Sequence, residues 1–140
     1  MNRNKDIKEL DVYRKSFAFS NLIWDIGLKW GFLEKKTIGM QLIRAADSIS
    51  ANIAEGFGRY HYRENINFCY YARGSFYETC DWVRKAKSRH LLSEEEIAEI
   101  EIFIEWFPSR LNAYIQYLKK CVSSVPNKPI NQSTNKPMNQ

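Results

Sequence analysis

Asn52, Glu55 and Arg59 stand three and four residues apart in the run SISANIAEGFGR at 48–59, a stretch otherwise made of Ser, Ala, Gly, Ile and Phe. A carboxylate with a guanidinium four residues on could hold or move a proton, but on a helix this spacing is also the ordinary surface ion pair. No nucleophile with an adjacent base stands beside them, so no catalytic set is assigned and the chain is not expected to be an enzyme. Followed backward, polar residues continue at steps of three or four: Gln41, Arg44, Ser48, Asn52, Glu55 and Arg59 form one stripe down a helix. The Ala and Ser residues between would let a neighbouring helix approach, desolvating the stripe and turning it into a hydrogen-bonded structural network.

Metal chemistry finds no ligand set. Cys69 and Cys80 are eleven residues apart, about 16 Å along a helix and too far to share an ion. An odd number of cysteines in helical sequence argues against a disulfide framework. Neither metal nor cofactor is expected.

These residues need elements to hold them. Apolar positions repeat with a 3.6-residue period over four segments, near 8–30, 38–57, 62–89 and 94–120, and nothing of useful length alternates as a strand would. The fold class is therefore all-α, an antiparallel up-down-up-down four-helix bundle over 1–122. Helix two should stop where Gly56 or Gly58 takes a left-handed conformation. Helix four should start on a capping box, Ser93 with Glu96, and kink at Pro108. From 123 to 140 the composition turns to Pro, Asn, Gln, Ser and Thr with NKPINQ echoed as NKPMNQ, which reads as a disordered C-terminal tail. The polar N-terminus and the lack of an 18-residue apolar run point to a cytoplasmic protein without a membrane partner.

Helix one carries two apolar stripes about 140° to 150° apart, Leu10, Tyr13, Phe17, Trp24 and Leu28 against Val12, Phe19, Ile23, Ile26 and Trp30. Helix four has a core side of Ile97, Ile100, Phe103, Ile104, Phe107, Leu111, Ile115 and Leu118, with Ile102, Trp106, Ala113 and Tyr117 behind. A lone bundle needs one stripe per helix. The second set therefore suggests a homo-oligomer, with Phe19, Ile23, Trp30, Trp106 and Tyr117 at the subunit interface.

Net charge is +5, which suits an anionic partner. Up-down topology gathers Arg3, Lys5, Lys8, Arg59, Arg63, Lys119 and Lys120 at the end holding both termini, against Asp6, Glu9, Asp11 and Glu64; Lys128 and Lys136 lie in the tail. Arg84, Lys85, Lys87 and Arg89 cluster at the other end, where the helix dipole and nearby acids account for them. Arg59, Arg63, Lys119 and Lys120 are thus the candidate phosphate contacts. Tyr62 and Tyr71 could stack bases, while Tyr70 and Tyr77 are assigned to the core. The leading expectation is RNA or DNA binding through this rim; the rival is a protein-interaction adaptor with no nucleic-acid role.

The run QLIRAADSISANIAEGFGR followed by ENINFCYYARGSFYE resembles the bacterial four-helix bundle family of 23S rRNA intervening-sequence proteins over about residues 7–120. NIAEG and ARGS..E are the most specific parts. That family is related to the accessory variability determinant of diversity-generating retroelements. The resemblance implies a homopentamer of antiparallel bundles, with a reverse transcriptase and nucleic acid as possible partners. It also implies packing and network roles for Gln41, Arg44, Ser48, Asn52, Glu55, Gly56, Arg59, Arg73, Gly74, Ser75 and Glu78.

Overall fold

A computed structural model describes residues 6–124. A 3-10 turn at Ile7–Glu9, capped by the Asp6 carboxylate on the Lys8 N–H at 3.0 Å, leads into α1, Asp11–Leu28. Extended backbone at Gly31 ends that helix and starts the next. Phe32–Glu34, Lys35–Gly39 and Met40–Phe57 then run unbroken as α, π and α turns, together called α2. α3 is Tyr62–Ser88 and α4 is Glu94–Ser124. Helix two thus begins at Phe32 rather than 38, because the π turn absorbs residues that the 3.6 period had left as a loop. The expected tail starts inside the last turn of α4; its remainder, with Arg3, Lys5, Lys128 and Lys136, lies outside the described residues.

The four helices form the expected all-α bundle, each packed on its sequence neighbours, with α4 closing on α1. Lys29, just past α1, meets Glu96 of α4 at 2.7 Å and Asp11 meets Arg110 at 3.4 Å, the crossing order of antiparallel helices. The start of α4 carries the expected capping box: Ser93 Oγ accepts from Glu96 N at 3.1 Å, and Glu96 Oε1 accepts from Ser93 N at 3.0 Å.

The core is aliphatic on α2, where Ile38, Leu42, Ala45, Ile49 and Ile53 are buried as their spacing requires. It is aromatic between α1, α3 and α4. Phe19 stacks on Phe103 with centroids 4.2 Å apart, Phe103 on Phe107 at 5.0 Å, and Phe76 meets Phe107 at 5.0 Å. Each such ring contributes on the order of 1.5–3 kcal/mol through burial alone.

Two expectations about the chain path are corrected. Helix two ends in right-handed backbone at Gly58 (φ −78°, ψ −7°), and no described glycine has positive φ. The left-handed stop comes instead after α3, at His90 (φ 59°), where Leu91 N donates to Ala86 O at 2.9 Å and His90 N to Lys87 O at 3.1 Å. That pair of bonds is a Schellman motif, and its closure outweighs the steric cost of a side chain in left-handed backbone. Phe19 and Ile23 are core residues, 3% and 0% exposed, so they cannot supply a subunit surface. The outward stripe of α1 is the other one, with Phe17, Trp24 and Leu28 about half exposed.

Candidate nucleic-acid interface

The corner between α2 and α3 is set by Gly56. A Cβ there would stand 2.7 Å from Asn65 Oδ1 and 2.8 Å from Phe68 Cβ, so only glycine lets the two helices approach this closely. This contact holds the short Gly58–His61 link against the bundle end. Arg59 leaves the link beside Glu55, with its Nη2 2.9 Å from the carboxylate and its guanidinium 4.8 Å from the Phe68 ring. Arg63 lies in the first turn of α3, and Lys119 and Lys120 stand one turn before the end of α4.

Pairing differs between the two ends of the molecule for most of their cations, Arg89 just past α3 being exposed and, among the described residues, likewise without a carboxylate at ion-pair distance. Arg63, Lys119 and Lys120 are exposed, and among the described residues no carboxylate lies within ion-pair distance of them. At the other end Lys85 lies 2.7 Å and Arg84 3.5 Å from Asp81, and Lys87 lies 3.1 Å from Glu101. Arg59 belongs with the paired group, so the described rim has fewer uncommitted cations than its sequence suggests. Tyr62 is half-buried and Tyr71 is 58% exposed. Tyr77, assigned to the core by spacing, is also 58% exposed, and Tyr70 is 37% exposed. Counting from Arg63, both lie within about 40° of that exposed residue on the helix, a signal the sequence already carried.

The family model described as 23S rRNA-intervening sequence protein matches residues 8–113. The chain belongs to that family. Its match spans three helices and most of α4, including Arg63, and stops before Lys119 and Lys120. No curated protein matches the chain.

In this member of the 23S rRNA-intervening sequence family, the polar stripe of α2 is half-buried at Ser48 and Asn52. Ser48 Oγ donates to Arg44 O at 2.9 Å, and Asn52 Nδ2 donates to Ser48 O at 2.8 Å. Gln41, Arg44, Glu55 and Arg59 are exposed. The Ser48 and Asn52 bonds are local ones, one turn back within α2. Ser75 likewise accepts from Thr79 Oγ1 at 2.8 Å, Glu78 accepts from Trp82 Nε1 at 3.2 Å, and Arg73 lies 4.9 Å over the Tyr70 ring. The buried polar pair is Asn65 with Tyr114, which the sequence reading missed; Asn65 shares an apolar face with Cys69, Ala72 and Phe76.

Of the residues assigned to subunit contact, Trp30 is half-buried and ties its indole N–H to Leu91 O at 3.0 Å. Trp106 is half-buried between Lys15 and Arg110, 5.4 and 5.6 Å from its ring. Tyr117 is 46% exposed and stacked 6.5 Å from Tyr114. Two shallow apolar grooves flank α1, one lined by Trp24, Leu28, Met40 and Ile43 and one by Ala18, Leu22, Ile102 and Trp106. Among the described residues no group of three His, Cys, Asp or Glu side chains could hold a metal, and no helix is long and apolar enough to cross a membrane.

Proposed function

We propose that the chain is a non-enzymatic helical scaffold that binds nucleic acid through the exposed cations at the end where α3 begins and α4 ends. One observation carries this reading: Arg63, Lys119 and Lys120 have no carboxylate in reach among the described residues, whereas Arg84, Lys85 and Lys87 are held by Asp81 and Glu101. A paired cation must loosen its carboxylate to take a phosphate. A solvated one exchanges water and releases counterions from the polymer, which is where most non-specific affinity arises. The family description makes RNA the first polymer to test.

The scaffold works as a homo-oligomer in this reading. Phe17, Trp24, Leu28, Met40 and Ile102 are 48–71% exposed, an apolar surface that copies of the chain would cover. A ring of five pointing one way, as the family resemblance implies, would gather the uncommitted cations on one rim and multiply the local field.

The test is a titration of labelled mixed-sequence RNA and DNA with the full chain at rising salt. The reading predicts that log K falls linearly with log salt. Absence of binding to both polymers at about 50 mM salt would reject it in favour of a protein-interaction adaptor.

A further inference from the structure

Gly74 sits inside the 27-residue α3, and nothing lies within 4 Å of where its Cβ would stand. Glycine is poorly tolerated in helix interiors, and a close neighbour usually explains it, as at Gly56. At Gly74 no described part of the chain comes near. The bare backbone is instead framed by aromatic rings. Arg63, Tyr70, Gly74 and Tyr77 fall within about 60° of one another on the helix, with Tyr71 on one flank and Arg73 on the other.

The chemistry of this face restricts its partner. Tyr71 and Tyr77 are each 58% exposed, and Tyr70, 37% exposed, has the Arg73 guanidinium 4.9 Å over its ring. Arg63 and Arg73 have no carboxylate at ion-pair distance among the described residues, and Glu78 at the edge, exposed and accepting from Trp82, sets one negative charge against these two positive ones. Large apolar residues are absent from the row, so it offers flat π faces and positive charge rather than a greasy patch. The complementary partner is also flat and anionic: unstacked bases on a phosphate backbone. A duplex offers the same phosphates but keeps its base faces stacked away. From Arg63 to Tyr77 the row runs about 21 Å, enough for several nucleotides of an extended strand.

We propose that this face of α3 is a stacking platform for single-stranded nucleic acid, with Tyr70, Tyr71 and Tyr77 receiving bases, Gly74 leaving room for the strand, and Arg63 and Arg73 holding phosphates. This rests on the nucleic-acid reading above and names the form of polymer.

The test compares a labelled 20-nucleotide RNA single strand with its duplex, using the full chain and its Tyr71→Ala/Tyr77→Ala and Gly74→Leu variants. Helical circular dichroism and light scattering accompany each titration. The expected result is tighter binding of the single strand, weakened about tenfold or more by the double tyrosine variant with an unchanged salt slope, while duplex binding holds. Gly74→Leu should weaken single-strand binding although leucine favours the helix. Equal binding of both forms, untouched by these variants, would overturn the platform and leave the cationic reading intact. If wild type binds neither form, both fail. If the variants change the mass rather than the affinity, the face is a contact between copies and the platform is wrong.

Discussion

The Asn65 side-chain amide donates to the Tyr114 hydroxyl at 3.1 Å, joining α3 to α4 where the two residues are 1% and 8% exposed. Taking either group away leaves the other buried without this bond. Asn65→Ala and Tyr114→Phe should each cost about 1–3 kcal/mol. In urea unfolding the double variant should lose clearly less than the two single losses combined, with a coupling of at least about 0.5 kcal/mol. Simple additivity would show that the pair does not act together.

Alkaline pH should weaken the fold. Burial pushes the Cys69 thiol up to about 12, slightly offset by Arg73, and burial also raises the Tyr114 hydroxyl despite its bond to Asn65. A raised value in the folded chain means that the unfolded chain releases its proton first. Stability is then full below the thiol's ordinary value of 9.0 and declines as pH rises toward about 12. The slope is about 1.4 kcal/mol per pH unit for each group. Denaturation at about pH 8 and about pH 10.5 checks this, and Cys69→Ala should lose less than wild type between them.

Two glycines of one bundle should respond in opposite directions to alanine. Gly56→Ala drives a Cβ to 2.7 Å from Asn65 Oδ1 and 3.1 Å from its backbone oxygen, so it should destabilise by about 1–3 kcal/mol. Gly74→Ala meets nothing within 4 Å and should stabilise by about 0.5–1 kcal/mol. Thermal melts of both, compared with wild type, read the difference.

Assembly and folding separate on α1. Ile23→Glu places a charge at a 0% exposed site and should abolish cooperative unfolding, because the carboxylate has no buried partner there. Trp24→Glu with Ile102→Glu changes residues that are 50% and 71% exposed and should leave the melt nearly unchanged while lowering the light-scattering mass. A wild-type monomer at micromolar concentration would remove the oligomer from the account.

The helices were legible in the sequence because their apolar period is regular, and α2 shows it best: each core position from Ile38 to Ile53 is buried. On α1 the spacing revealed two stripes but could not say which faced inward. That choice depends on Phe103 lying opposite Phe19, a fact of packing between distant segments. The rim was legible as composition but not as pairing. Whether Arg59 is free depends on the rotamers that bring it to Glu55, and i, i+4 spacing permits that contact without requiring it. Asn65 was missed because Tyr114, its buried partner on α4, is 49 residues away.

Phosphate binding is proposed for Arg63, Lys119 and Lys120, the exposed cations at one end of the bundle. Arg63→Gln/Lys119→Gln/Lys120→Gln should keep the melt and the oligomeric mass while flattening the slope of log K against log salt by about 2 on single-stranded RNA, since each lost phosphate contact removes about 0.7. Arg84→Gln/Lys85→Gln/Lys87→Gln removes equal charge from the paired end and should leave that slope unchanged. Salt titrations of these two variants beside wild type decide the matter: a slope reduced only by the first set is the predicted result, and an equal or larger reduction by the second would contradict the account.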